Sequence, residues 1–326
     1  MKKIIPLLLA ALLLSLAACG NTGPVPGYAQ NDGPPYSIGI VQLTKHDALD
    51  KATKGFMDTL KDEFGEENVV FDLQIASGDS DSCAEIAEGF VSDGVDMIMA
   101  NSTIALLAAA DATDTIPIIG TSVTSYNDAL KLDYFEGIVG GNITGTSGQA
   151  PLSEQAAMIW QICPDAESVA ILYSEDEPNS AYQARVVGKY LKDHGLEVVE
   201  KTFTGPDDVA DVTASACEAA DVIYLPTDNK AAVCAESIRE VVMKHKTRVI
   251  AGEENLMSVC GIATISSDYY NTGVAAGKMA VMILTGEVNI QDMAIEYDPH
   301  PMKEYNPDMC QYLGIPAPDD YIAYRG

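Results

Sequence analysis

From Ser37 onward, short apolar runs rich in β-branched residues alternate with longer stretches whose apolar positions recur every three or four residues. The runs at 37–43, 69–74, 96–100 and 116–120 predict strands, and the stretches at 47–64, 80–92 and 103–110 predict amphipathic helices between them. This alternation is that of a parallel α/β unit. After a glycine-rich passage at 137–148 the pattern begins again. Helices are expected at 149–163, 179–194, 209–219 and 230–245, and strands at 168–173, 197–203, 222–225 and 248–252. The chain is thus read as α/β, with two Rossmann-like lobes built on parallel sheets.

The halves resemble each other in detail. In each, a buried strand runs into a polar cluster and then a helix: Asn101-Ser102-Thr103 and Thr121-Ser122 in the first, Thr227-Asp228-Asn229 and Glu253-Glu254 in the second. Open parallel sheets bind ligands at the carboxyl ends of their strands. The same residue types are also favoured as helix N-caps. Four such clusters at equivalent places suggest facing walls of one cleft. The end of the chain adds a strand at 263–266, a helix at 268–284, a strand at 293–297 and a helix at 307–313 capped by Asn306. These would be orphans if both lobes closed before residue 260. They fit a chain that returns to the first lobe and crosses back, with three hinge crossovers near 143–148, 264–268 and 295–299, the first suited by Gly145 and Gly148. The expected first lobe is 36–144 plus 268–295, and the second 145–267 plus 296–326.

The N-terminus has another character. Lys2 and Lys3 precede an apolar run from Pro6 to Ala18 that is too short to cross a bilayer comfortably, so 1–18 reads as an export signal. Leu16-Ala17-Ala18-Cys19 resembles the lipobox of bacterial lipoproteins, which implies a lipidated Cys19. Residues 19–35, rich in glycine and proline, then form a flexible tether. Lys and Arg number 19 against 48 Asp and Glu, a formal net charge of -29, and removing the signal deletes two more lysines. So negative a surface repels phosphate backbones and excludes general nucleic-acid binding. The apolar fraction of 47% excludes disorder. His46, His194, His245 and His300 lie far apart, and the remaining six cysteines form no Cys-x-x-Cys pair. No metal or cofactor is expected, and free buried thiols are favoured over bridges. Gly145-Thr146-Ser147-Gly148 is not a nucleophile elbow and the histidines have no evident partners, so an enzyme is not expected.

Val41-Gln42-Leu43-Thr44-Lys45-His46-Asp47-Ala48-Leu49-Asp50, Gly141-Asn142-Ile143-Thr144-Gly145-Thr146-Ser147, Tyr224-Leu225-Pro226-Thr227-Asp228-Asn229 and Ser267-Asp268-Tyr269-Tyr270-Asn271-Thr272-Gly273 resemble motifs of one ABC-transporter substrate-binding family, which includes tryptophan- and tyrosine-binding lipoproteins. The resemblance spans roughly 36–316. It implies a type I periplasmic-binding-protein fold closing on a small solute and a permease partner driven by a separate ATPase. It also implies a place outside the cytoplasmic membrane or in the periplasm, held by the lipid anchor alone, as a monomer. The stretch Tyr173-Ser174-Glu175-Asp176-Glu177 is unusually acidic.

The residues themselves narrow the ligand. Ser102, Thr103, Thr121, Ser122 and Thr124 offer neutral donors and helix N-termini suited to a carboxylate. Asp228, Glu253, Glu254 and Asp268 would hold an ammonium group. Asp228 ranks first, with helix capping as its alternative reading, and Asn179, Thr227 and Asn229 stand beside it. Tyr126, Tyr173 and either Tyr269 or Tyr270 are candidates to enclose an apolar side chain, against the alternative of plain packing. Gln42 and His46 follow the first strand, and the family motif brings them toward the cleft. A zwitterionic α-amino acid, aromatic in the first instance, suits both walls. A branched-chain amino acid, another small amine, and a sensor or surface adhesin on the same fold stand as alternatives.

Overall fold

A computed structural model describes residues 33–325. The expected signal, Cys19 and most of the expected tether lie outside the described residues. The first sheet contains β1 (Tyr36–Gln42), β2 (Val69–Ile75), β3 (Met97–Asn101), β4 (Ile118–Val123), β5 (Ile143–Ser147) and a late strand, β11 (Glu296–Tyr297). The second contains β6 (Ser168–Ser174), β7 (Glu197–Phe203), β8 (Val222–Leu225), β9 (Arg248–Ala251), β10 (Ala263–Ser266), β12 (Met302–Tyr305) and β13 (Ile322–Ala323). Their orders are β11-β5-β4-β3-β1-β2 and β13-β12-β10-β9-β8-β6-β7. All named strand pairs are parallel except β10 with β12.

Helices cover both faces of each sheet, so the central strands are apolar runs rather than alternating ones. Ile38, Ile40, Met97, Met99 and Ile119 bury on one side of the first sheet. Val41, Ile98, Ala100, Ile118 and Val123 belong to the core on the other side. The second lobe repeats this with Val169, Ile171, Val222 and Tyr224 against Ala170, Leu172, Ile223 and Leu225.

The chain passes between lobes between Ser147 and Leu152, between Ser266 and Tyr269, and between Tyr297 and Met302. Residues 145–147 and 296–297, expected in the second lobe, are strands of the first sheet, so the first and third crossings come later than the sequence suggested. Gly145 sits inside β5 at φ 146°, where a Cβ would lie 2.0 Å from the Gly120 carbonyl oxygen. That glycine serves strand packing rather than a free hinge. The expected helix at 230–245 is two, Asn229–Val233 and Ala235–His245, broken at Cys234. The six described cysteines carry free thiols. No helix among the described residues is long and apolar enough to cross a membrane.

Helix Tyr269–Leu284 returns from the second lobe and packs on helix Asp47–Phe64 at backbone distance. A Cβ on Gly273 would stand 2.0 Å from the Ala52 carbonyl oxygen, and one on Gly55 2.2 Å from that of Tyr270. Alanine is ordinarily preferred to glycine inside a helix by about 1 kcal/mol. Here the clash outweighs that preference, because both obstructing atoms are backbone and cannot rotate away. Gly273→Ala is expected to destabilise the protein by about 1–3 kcal/mol in urea unfolding; a gain in stability would show that the two helices are free to separate.

Candidate functional site

The carboxyl ends of β1, β3 and β4 face those of β6, β8 and β9 across the gap between lobes. The cavity there is lined by His46, Ala48, Leu49, Thr103, Ser122 and Thr124 from the first lobe and Asn179, Thr227, Asp228, Asn229, Ala232 and Glu253 from the second. Tyr269 lies beside the second crossing. The cavity leaves room for about one water molecule. The lobes are closed on each other. His46 Nε2 lies 3.0 Å from Asn229 Oδ1. Arg185 pairs with Asp128 at 2.7 Å, and Lys51 with Glu254 at 3.2 Å, each pair joining the two lobes at the rim.

On the first wall, Ser102 caps helix Thr103–Ala112 by accepting from the Ala105 amide. That leaves Thr103 at the first turn, facing the cavity. The register of β4 slips between Gly120 and Val123, and Ser122 stands there at φ 55°. A serine held in this region costs on the order of 1–3 kcal/mol, which the surrounding structure must offset. The irregularity sends Thr121 inward, 3.0 Å from the Thr146 hydroxyl. Ser122 Oγ is left buried with no partner.

The second wall is built around buried acids. Asp228 accepts from the Ser174 amide and hydroxyl, both at 2.8 Å, and from the Ala231 amide at 2.7 Å. Glu253 accepts from the amides of Asn255 and Leu256. Burial pushes its carboxyl up to about 7, and Glu254 adds to the rise. Glu177, which the sequence showed only as one acid among several, is 2% exposed. It accepts from Asn179 Nδ2, from Asn229 Nδ2 and its amide, and from the Lys230 amide. Burial, with Asp228 adjacent, pushes its carboxyl upward. Its position before Pro178, at the start of helix Pro178–Asp193, is visible in the sequence. Its reach to the start of another helix is not.

Of the fifteen expected ligand-binding residues, the structure gathers His46, Thr103, Ser122, Thr124, Asn179, Thr227, Asp228, Asn229 and Glu253 around this cavity. The other six do not line it. Gln42 is spent on the Thr44 carbonyl, Asp50 and Thr53. Ser102 is a cap and Thr121 is turned into the sheet. Tyr126 fills the core and donates to the Thr146 carbonyl, and Tyr173 donates to Glu200. Asp268 caps helix Tyr269–Leu284. Tyr270 binds Asp58 away from the cleft, whereas Tyr269 lines it. Ala48, Leu49 and Ala232 are lining residues the sequence did not single out, since small apolar positions carry no chemical signal. No group of three or more His, Cys, Asp or Glu among the described residues has metal-binding geometry.

Two α/β lobes, three crossovers and a polar cleft at the strand ends define a two-lobed binding protein of the periplasmic type I fold. The chain matches the family described as ABC transporter substrate binding protein over residues 37–324, and it belongs to that family of solute-binding proteins. A small molecule is therefore its ligand and a transporter permease its partner. The chain is similar to a "Tyrosine-binding protein" of Clostridioides difficile (strain R20291), 34% identical over 301 residues that cover 88% of this chain and 85% of that one. It is similar to the ABC domain from Streptococcus pneumonia solved in complex with L-Trp, at TM-score 0.83 and 26% identity, covering 87% of this chain and 96% of that one. The ligand-free, open structure of a substrate binding protein with adhesive properties from Clostridium difficile is more similar in sequence, at 31%, but less in shape, at TM-score 0.68, covering 89% of this chain and all of that one. The closed arrangement described above is thus nearer to the complexed relative than to the open one.

The hydrogen bonds of Asp228 give it a duty within its own lobe. Asp228→Ala removes a helix cap and leaves the Ser174 amide buried and unpaired, so it is expected to cost about 2–4 kcal/mol in ligand-free unfolding. An unchanged ligand-free stability would return Asp228 to a purely ligand-facing role.

Proposed function

We propose that this protein captures a zwitterionic amino acid, with an aromatic side chain, and delivers it to the permease of an ABC importer. The observation that carries this reading is the contrast between the walls. Thr103, Ser122 and Thr124 beside a helix N-terminus suit a carboxylate, while Asp228 and Glu253 opposite suit an ammonium group. Each Glu253 oxygen accepts one hydrogen bond, which leaves acceptor capacity on both. Ala48, Leu49, Ala232 and Tyr269 supply apolar surface for the side chain. The ligands named for the Clostridioides and Streptococcus relatives, tyrosine and tryptophan, support the same class. In this reading Cys19 carries a lipid that holds a monomeric domain at the outer face of the bacterial membrane. The ligand enters when the lobes part at the three crossovers, because the closed cavity is too narrow to admit it. The adhesive properties of one relative favour a second role at the cell surface for the same domain.

A thermal-shift panel over the amino acids is expected to show stabilisation by L-tyrosine or L-tryptophan, about 2.7 kcal/mol at a hundredfold excess over Kd. X-ray scattering should show compaction with the same ligand. A response to sugars alone sinks the zwitterion reading.

Affinity should also depend on pH. With the lobes closed and the cavity without ligand, Glu253, pushed up to about 7 by burial, is largely protonated below neutrality. An ammonium beside it favours the ionised form, so binding below pH 7 expels a proton. Affinity is therefore expected to rise from pH 5.5 to about 7 and to level off above. Calorimetry in two buffers of different ionisation enthalpy reads the released proton directly, and an affinity flat with pH would remove Glu253 from the ammonium site.

A further inference from the structure

We propose that Glu177, which lines no part of the cavity, sets its hydrogen-bond polarity. It fixes two amides and, through one of them, an imidazole so that the cleft presents bare acceptors and selects a ligand that donates. This rests on the amino-acid reading above and extends it to the residue that enforces it.

One carboxylate oxygen of Glu177 receives Asn229 Nδ2 at 2.6 Å and Asn179 Nδ2 at 3.0 Å. Backbone amides donate to both oxygens of Glu177, that of Asn229 to Oε2 and that of Lys230 to Oε1, so both oxygens act as acceptors and both side-chain amides turn their NH₂ toward it and their oxygens away. The Asn179 oxygen is then buried at the cavity with no partner. The Asn229 oxygen faces His46 Nε2 at 3.0 Å, so that nitrogen carries the hydrogen. The other ring nitrogen, Nδ1, is likewise buried without a partner. Burial lowers the pKa of His46 and keeps the ring neutral, so Nδ1 is an acceptor. Glu177, with the Thr227 carbonyl that also accepts from Asn179 Nδ2 at 3.2 Å, thus leaves Asn179 Oδ1 and His46 Nδ1 as two unsatisfied acceptors, one on each lobe. Each costs free energy until a donor arrives. An ammonium or hydroxyl group meets that demand, whereas a carbonyl in its place adds repulsion. Because His46 belongs to the first lobe and Glu177 and Asn229 to the second, the relay is complete only when the lobes are closed.

Nitrogen-15 NMR of the histidine rings, in the free protein and with L-tyrosine, reads the tautomer. An Nε2–H ring for His46 supports the relay, and Nδ1–H in both states overturns it. Calorimetry then compares L-tyrosine with its α-keto analogue, 4-hydroxyphenylpyruvate, in the wild type and in Glu177→Gln. The variant is expected to lose about tenfold of the preference for the amine, because the Asn229 amide becomes free to turn and donate. Its His46 signal should move toward mixed tautomers. A purely structural role would weaken both ligands equally and leave the tautomer unchanged, which would overturn the proposal. Asn229→Ala keeps Glu177 and its remaining donors, so it tests the imidazole branch alone should Glu177→Gln fail to fold. If neither L-tyrosine nor L-tryptophan binds, the ligand reading fails by itself, and the tautomer is then read on the closed complex with whichever compound the thermal-shift panel shows to bind.

Discussion

The close crossing of helices Asp47–Phe64 and Tyr269–Leu284 is the constraint on which the rest depends. Glycines at 55 and 273 let the two backbones touch, and this contact returns a segment from beyond the second lobe to the first. Without it the chain would form two lobes in sequence, joined by one linker. With it, three strands of chain cross the gap side by side, and relative motion is restricted to opening and closing about them. That restriction makes the facing walls meet in one register each time, which a recognition site requires.

Within the cleft the expensive elements are the acids. Asp228, Glu177 and Glu253 are all nearly inaccessible, and no Lys or Arg side chain is paired with any of them among the described ion pairs. They are held instead by backbone amides and side-chain amides and hydroxyls, largely at the starts of helices Asn229–Val233 and Glu254–Val259. Neutral dipoles lower the cost of burial without neutralising the charge. Burial still raises Glu177 and Glu253, and a cationic group that enters the cavity favours their ionised forms. The net charge of the chain as a whole does not produce this effect; the rim and the helix surfaces carry most of the acids elsewhere.

Much of this was legible in the sequence, for identifiable reasons. Helix Asp47–Phe64 and strand Glu197–Phe203 have periodicities that tertiary packing reinforces, and their ends are marked by a change of pattern. β5 lies where a hinge crossover was expected; Gly145 there reads as flexibility, when close contact with Gly120 and Tyr126 is what requires it. The helix break at Cys234 has no proline or glycine to announce it. In the cleft, residue type located the clusters but not the direction of each side chain. The slip in β4 separates Thr121, turned inward, from Ser122, turned to the cavity, and no local pattern predicts it. Glu177 escaped notice because Asn229 and Lys230 lie some fifty residues away, and a carboxylate that orients other groups looks in sequence like any solvated acid.

The two rim ion pairs, Arg185 with Asp128 and Lys51 with Glu254, have a kinetic side. Half-exposed pairs of this kind add little to equilibrium stability, but they must break before the lobes can part. They act on how long a captured molecule stays rather than on how tightly the walls fit it. A strongly acidic domain that supplies a basic partner on each side of its own mouth can thereby couple residence time to the ionic strength around it. Dilute surroundings would lengthen retention and salty ones shorten it, with the chemistry of recognition untouched.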